Sequence, residues 1–272
     1  MRRKPHALTL LATTLLVLAS TSVLAQDTAP ADAAETASAA DAALQAAIAG
    51  DWRSDANRAR DQYRHPAETL AFFGLAPGQT VVEITPGGGW YAEILAPYLR
   101  GNGTYVAAIV DPATLPEGGG RNYQQRSKDG LAKRFAEAPA QFDAATVVGY
   151  DPAAPKFGEP GSADLVVTFR NVHNWRGNGQ AEGMFQGFFD VLKPGGVLGV
   201  SDHRGRDDIS QQAQMKTGYI RQDYAVALIE KAGFKLAGTS EAKANPKDTK
   251  DHPAGVWTLP PSFRLKDKDR EK

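Results

Sequence analysis

The feature that most limits what this chain can become is a hydrophobic period that keeps changing along it. Short apolar runs rich in β-branched residues alternate with segments whose apolar residues recur every three to four positions. Strands are expected at residues 80–84, 104–110, 144–148, 165–169, 197–201 and 234–239. Helices are expected at 91–99, 128–136, 183–192 and 223–232, with a short one opened by Pro66 and stopped by Gly74. Strands that alternate with helices form βαβ units, and their sheet is covered on both faces. The fold class is therefore α/β: a doubly wound, Rossmann-like, mostly parallel sheet with helices on both sides.

The first residues stand apart from that pattern. Arg2, Arg3 and Lys4 precede a short apolar stretch from Leu8 to Leu18, and Val23-Leu24-Ala25 makes a small-residue cleavage site. Residues 1–25 read as a Sec-type secretory signal peptide, cut after Ala25, which directs the protein to the bacterial periplasm. The apolar run is shorter than a membrane span, so no stable membrane insertion is expected after cleavage. Residues 26–40 are small, polar and aperiodic, the composition of a disordered linker. Residues 41–243 carry the α/β domain and its N-terminal helices, and 244–272 form a C-terminal extension with a charged tail.

Composition excludes several chemistries. The formal net charge is zero, and loss of Arg2, Arg3 and Lys4 leaves the chain slightly acidic. That gives no support for a nucleic-acid partner. With no cysteine, disulfides, thiolate metal sites and cysteine-held clusters are absent.

In an open α/β sheet, ligands bind outside the carboxyl ends of the strands, where strand order reverses. The stretch EITPGGGW, residues 83–90, stands where the first strand ends. Glycines there let backbone N–H groups approach a ligand with no Cβ in the way, and the next helix adds its positive end. A loose turn explains the glycines equally well when the motif is taken alone. The other strand ends are polar too. Asp111 follows the second strand, where an acid can hold ribose hydroxyls, and Asp151 the third, where an acid can meet an adenine amino group. FRNVHNW and SDHR close the fourth and fifth.

These stretches resemble the class I S-adenosylmethionine-dependent methyltransferases over residues 66–239. VVEITPGGGWYAEIL is similar to the first motif of that superfamily, SADLVVTFRNVHNW to the fourth-strand motif and LKPGGVLGV to the fifth. GGGWYAEILAPYL, FRNVHNW, SDHR and NPKDTKDHPAGVWTLPP resemble, more narrowly, a group of exported bacterial proteins described as predicted methyltransferases. The resemblance implies S-adenosylmethionine as cofactor and a small-molecule or envelope acceptor. It places Glu83 at the turn or the methionine amino group, and Gly87, Gly88 and Gly89 against the methionine and ribose. It places Asp111 at the ribose and Asp151 at the adenine, with Thr85 and Asn171 also in the cofactor set.

Three departures accompany it. Thr85 stands where the superfamily has its first glycine. Asp111 lies two places beyond the usual ribose acid, whose slot holds Ile109. The closing antiparallel strand has only GVWTLPPSF to form it, whose two prolines suit an edge or no strand at all.

For the chemistry, His173 is a candidate base beside the methyl donor; alternatively it hydrogen-bonds a loop beneath Trp175. His203 is a second candidate, and Asp202 either orients His173 or forms a salt bridge with Arg204. His65 suits a helix entry, and His252 lies in a loop that serves as a lid or as plain surface. Trp90 and Tyr91 line the pocket or fill the core. No histidine pair has the short spacing of a zinc site, so no metal is expected. S-adenosylmethionine is made in the cytoplasm whereas the signal points outside it. An exported, non-catalytic binding protein that keeps the fold therefore stands as the alternative, with a nicotinamide-dependent oxidoreductase fitting less well.

Overall fold

A computed structural model describes residues 31–260 and 262–266; the signal-peptide segment lies outside them. Five strands form one sheet: β1 (Thr80–Ile84), β2 (Thr104–Val110), β3 (Thr146–Tyr150), β4 (Ala163–Phe169) and β5 (Leu192–Ser201). Their order is β3-β2-β1-β4-β5, and every neighbouring pair is parallel. From β1 the chain moves outward through β2 to β3. It then crosses back to lay β4 on the other side of β1, so the switch point of the doubly wound sheet lies between β1 and β4.

The helices α1 (Ala31–Ile48), α2 (Asp55–Arg58), α3 (Asp61–Arg64), α4 (Pro66–Phe72) and α5 (Ala92–Leu99) precede β2. Beyond it come α6 (Gly119–Glu137), α7 (Pro139–Phe142), α8 (Val172–Gly177), α9 (Ala181–Val191) and α10 (Gln222–Lys231). Alternate residues of each strand enter opposite cores. Val81, Ala107, Leu165 and Val167 pack with Leu44, Leu70, Ile94 and Leu95 of the N-terminal helices and α5. Val82, Ile84, Ala108 and Val166 pack with Met184, Phe185, Phe188 and Leu228 of α9 and α10. Both faces of β1 are buried, which is why its sequence reads as a continuous apolar run apart from Glu83.

Several elements differ from the sequence expectation. Residues 31–40 are helical rather than a disordered linker. Alanine is the strongest helix former, and the helix is anchored further along by Leu44 and Ala47 in the core, so its first half needs no apolar period of its own. Helix α6 likewise begins at Gly119, well before residue 128; only Leu131 of it is buried, so its exposed first turns carry no pattern to read. The KPGG segment lies inside β5 as an irregularity, Ala163 facing Leu192 and Leu165 facing Val197.

Residues 234–239 form no strand. Phe234 packs edge-on against Phe189 of α9, ring centroids 5.3 Å apart, and Leu236 is left exposed. The chain is thereby held on the helical layer and never reaches the edge of β5. Residues Gly255–Thr258 form a 3-10 helix in place of a closing strand. Among the described residues no helix is long and apolar enough to cross a membrane.

Candidate active site

The turn after β1 has an unusual backbone. Thr85, Gly87 and Gly89 all have positive φ, at 52°, 59° and 81°. Thr85 thus adopts the left-handed geometry that the glycine of the resembling motif would give. That conformation is unfavourable for a β-branched residue. Its hydroxyl is 2.8 Å from the Tyr150 hydroxyl, and its N–H donates to the Ala108 carbonyl at 2.8 Å, which offsets the strain. A side chain at Gly87 or Gly88 would meet nothing within 4 Å, so these glycines are not dictated by packing around them. At Gly89 a Cβ would press on Leu131 at 3.0 Å, which makes that glycine a packing requirement as well.

Glu83 lies beneath the turn and is 2% exposed. Its carboxyl accepts a hydrogen bond from the Tyr105 hydroxyl at 2.7 Å. Burial pushes its pKa up to about 7, against the opposing pull of that hydrogen bond and of Arg64. Asp111 and Asp151 sit side by side at the ends of β2 and β3, the Asp111 N–H donating to the Tyr150 carbonyl at 2.9 Å. Each carboxylate caps its own loop through Oδ1, accepting from Ala113 N–H at 3.0 Å and from Ala153 N–H at 2.8 Å. Asn171 spans β4 and β1, its amide donating to the Ile84 carbonyl at 3.2 Å and to Thr168 Oγ1 at 3.1 Å. That side chain ties the two strand ends at the switch point together.

Beyond Asn171, α8 carries His173, which is 7% exposed. Its Nδ1 is 2.7 Å from Asp202 Oδ1, and its backbone N–H donates to Asp202 Oδ2 at 3.1 Å. Asp202 also accepts from the His203 N–H at 2.7 Å. One carboxylate at the end of β5 therefore holds both the ring and the backbone of the histidine that follows β4. Asp202 does not pair with Arg204, whose partner is Glu241 at 2.8 Å.

The His203 ring lies 5.6 Å from that of His173. Burial first, against the opposing field of Asp202 and with Arg170 adding to it, pushes the His203 pKa down to about 4, so its ring is neutral at neutral pH. Trp257, not Trp175, lies beside His173, ring centroids 6.0 Å apart; Trp175 is packed in the core against Phe185 and Phe188. The loop of His252 folds against this end of the sheet. His252 Nε2 is 2.9 Å from Asp248 Oδ1, the same oxygen that accepts the Tyr219 hydroxyl at 2.8 Å. His65 stands where α3 ends and α4 begins, in a left-handed conformation. Among the described residues no three His, Cys, Asp or Glu side chains are arranged to hold a metal ion.

One group of residues here was not singled out from the sequence. Arg64 from α3, Arg170 after β4 and Lys243 from the C-terminal segment converge on Tyr91, which follows the glycine turn, and Arg60, just before α3, stands within the field of Arg64 and Arg170. Lys243 Nζ is 3.0 Å from the Tyr91 hydroxyl and 3.0 Å from Ser201 Oγ at the end of β5. Tyr91 stacks on Phe169 with ring centroids 3.5 Å apart. Burial, then Arg64 and Arg170, pushes the Lys243 pKa down to about 7. Arg170 lies in the quoted FRNVHNW stretch and Arg60 and Arg64 in a basic run. Nothing local marks Lys243.

No protein-family model matches the sequence, and no curated protein is significantly similar to it. Solved structures do match. A SAM-dependent methyltransferase from Aquifex aeolicus superposes with a TM-score of 0.50 at 17% identity, over 65% of this chain and 83% of that one. An arsenic(III) S-adenosylmethionine methyltransferase from Chlamydomonas reinhardtii aligns with a TM-score of 0.45 at 17% identity, covering 70% of this chain and 61% of the other. A possible exported protein from Bordetella parapertussis aligns with a TM-score of 0.44 at 20% identity, over 65% and 62% of the two chains. With the strand order β3-β2-β1-β4-β5 and the Aquifex superposition together, the chain has the fold of the class I S-adenosylmethionine-dependent methyltransferases.

Proposed function

We propose that the protein is a methyltransferase that uses S-adenosylmethionine, with His173 as general base and Asp202 as the group that positions it. The observation that carries this reading is the 2.7 Å contact between His173 Nδ1 and Asp202 Oδ1, placed at the ends of adjacent strands next to the glycine turn. The residues present suit the cofactor: the turn is open at Gly87 and Gly88, and Asp111 and Asp151 follow the next two strands on one side of it, with one oxygen each engaged by its own loop. Gly87 and Gly88 would give the methionine and ribose close access to the backbone, Asp111 would hold the ribose and Asp151 the adenine edge. When bound, the cofactor supplies an electrophilic methyl group on a sulfonium.

The chain's own residues orient the acceptor and move a proton. With Asp202 accepting from Nδ1–H, His173 presents Nε2 as the atom that takes the proton from the acceptor. His203, with its pKa near 4, is too weak a base for that task at neutral pH. Its neutrality also spares the imidazolium formed on His173 a neighbouring charge.

His173→Ala is expected to leave affinity for S-adenosylhomocysteine intact and to slow methyl transfer by ~10²–10⁴. Transfer is read from deuterated methyl groups moved from S-adenosylmethionine into a periplasmic extract. Gly88→Val is expected to abolish cofactor affinity without loss of thermal stability, because its added atoms enter open space. Affinity for neither S-adenosylmethionine nor its product in calorimetry would refute the proposal. Affinity without transfer would instead support an exported binding protein that keeps this fold. The export reading is checked separately, since mass spectrometry of the periplasmic protein should find Gln26 at its N-terminus.

A further inference from the structure

We propose that Arg60, Arg64, Arg170 and Lys243 form a receptor for the carboxylate or phosphate of the methyl acceptor, set beside the cofactor's turn. The word acceptor rests on the methyltransferase reading; the anion site itself does not. Three separate stretches of chain deliver these cations to one place. Arg170 immediately follows β4, and its backbone is held at φ 62°, a conformation that persists only where its surroundings demand it. Lys243 reaches the end of β5 and directs two of its three N–H groups at Ser201 Oγ and the Tyr91 hydroxyl. Arg64 lies over the Trp90 ring at 4.5 Å, and its Nη2 is buried with no hydrogen-bond partner.

None of the four cations has a carboxylate within ion-pair distance among the described residues, whereas Arg53 and Arg134 do. The acids whose field reaches them are Glu83, buried and engaged by Tyr105, and Asp202, engaged by His173. Burial and mutual repulsion accordingly push the Arg64 pKa down to about 9 and Lys243 to about 7. Half-buried like charges with free donors are costly unless an anion completes them. Two or more guanidinium groups and an ammonium match the planar carboxylate or tetrahedral phosphate group. The wall of the site is the Tyr91–Phe169 stack, with Lys243 Nζ 5.4 Å and 5.2 Å from the two ring centroids.

The cofactor's own carboxylate is the competing source of negative charge. S-adenosylmethionine, however, carries a net positive charge, so it cannot neutralise the cluster and is itself repelled by it. An acidic acceptor does both: it compensates the cluster and favours the sulfonium beside it. Acceptor and S-adenosylmethionine should therefore bind with positive coupling, whereas the uncharged thioether of S-adenosylhomocysteine should gain less.

The probes are inorganic phosphate and succinate, titrated calorimetrically into the protein at low ionic strength. Wild type is expected to bind at least one of them. Arg170→Gln and Lys243→Met should each weaken binding by roughly 10-fold or more, while Arg206→Gln, at a surface ion pair with Asp208, should not change it. Thermal melts of the same variants establish that each is folded. Binding that persists at saturating S-adenosylhomocysteine, and an affinity for S-adenosylmethionine that rises with the anion present, would support the proposal. Competition between the anion and S-adenosylhomocysteine would overturn it, assigning the cations to the cofactor's carboxylate. Binding of neither probe by folded wild type, or equal binding by all variants, would overturn it too. If the protein binds the anion but neither cofactor form, the methyltransferase reading fails while the anion site stands.

Discussion

Two sets of cations meet at Trp90, whose ring has Arg53 at 5.1 Å and Arg64 at 4.5 Å. On the Arg53 side every charge is answered. Arg53 donates to both oxygens of Asp61, at 2.7 Å and 2.8 Å, and to the Ile48 carbonyl at 2.6 Å. The buried Glu93 has Arg134 Nε at 2.6 Å, Arg53 Nε at 3.7 Å and the Asn57 amide at 3.0 Å. On the Arg64 side the cations face one another and aromatic rings. Both sets draw on the run DWRSDANRARDQYRH, so local composition does not separate them. A matched buried cluster holds the N-terminal helices onto α5. An unmatched one is kept at a cost in stability, and such costs concentrate where a ligand is to be met.

The matched cluster is most easily undone at Glu93. Replacing it with alanine removes the buried carboxylate that Arg134, Arg53 and Asn57 share, and is expected to cost about 3–5 kcal/mol of unfolding free energy in chemical denaturation. Arg53→Met should cost less, about 1.5–3 kcal/mol, because Glu93 retains Arg134 and Asp61 retains access to solvent. On the unmatched side the sign reverses. Lys243→Met removes a desolvated charge and should stabilise the protein at neutral pH by about 1–2 kcal/mol after allowance for partial exposure. A loss of stability in that variant would mean that the ammonium has a partner and would remove the contrast.

Stability should also depend on pH through Lys243 and Glu83, with smaller effects. The Lys243 pKa falls from 10.5 to about 7 on folding, so the unfolded chain binds the extra proton between those values. Stability should rise with pH across that window. The gain from Lys243→Met should be largest below pH 7 and absent above about 10.5. Glu83 runs the other way. Its pKa rises from 4.5 to about 7, so the folded state binds the extra proton and stability should fall as pH rises from 4.5 to 7. Glu83→Gln, which keeps an acceptor for Tyr105, should flatten that slope in thermal melts taken across the range.

Much of the fold was legible because burial on both faces of the central strands writes itself into composition. The five parallel strands are the apolar runs, and the crossover helices carry their own apolar stripe wherever they meet the core. The misses share a cause. The first turns of α6 are exposed, and the alanine-rich start of α1 draws on helix propensity, so no apolar period marks either. Residues 234–239 have a strand's composition, but Phe234 is held against Phe189 on the helical layer. At the site, the glycines and the polar strand ends were visible because strand termini share one edge of a parallel sheet. Thr85 was visible only as a departure; its left-handed backbone and its contact with Tyr150, a residue two strands away, appear in the folded chain alone.

Hydrophobic period and chain direction, both written in the sequence, are enough to give the parallel α/β sheet and the polar residues at its strand ends. Tertiary structure alone decided which carboxylate serves which cation. It turned Asp202 toward His173 and Arg204 toward Glu241, and it brought Lys243 to Arg64 and Arg170 with no acid to meet them. Charge pairing depends on distances of a few ångströms and on exclusion of water, and neither exists until segments distant in sequence have packed together.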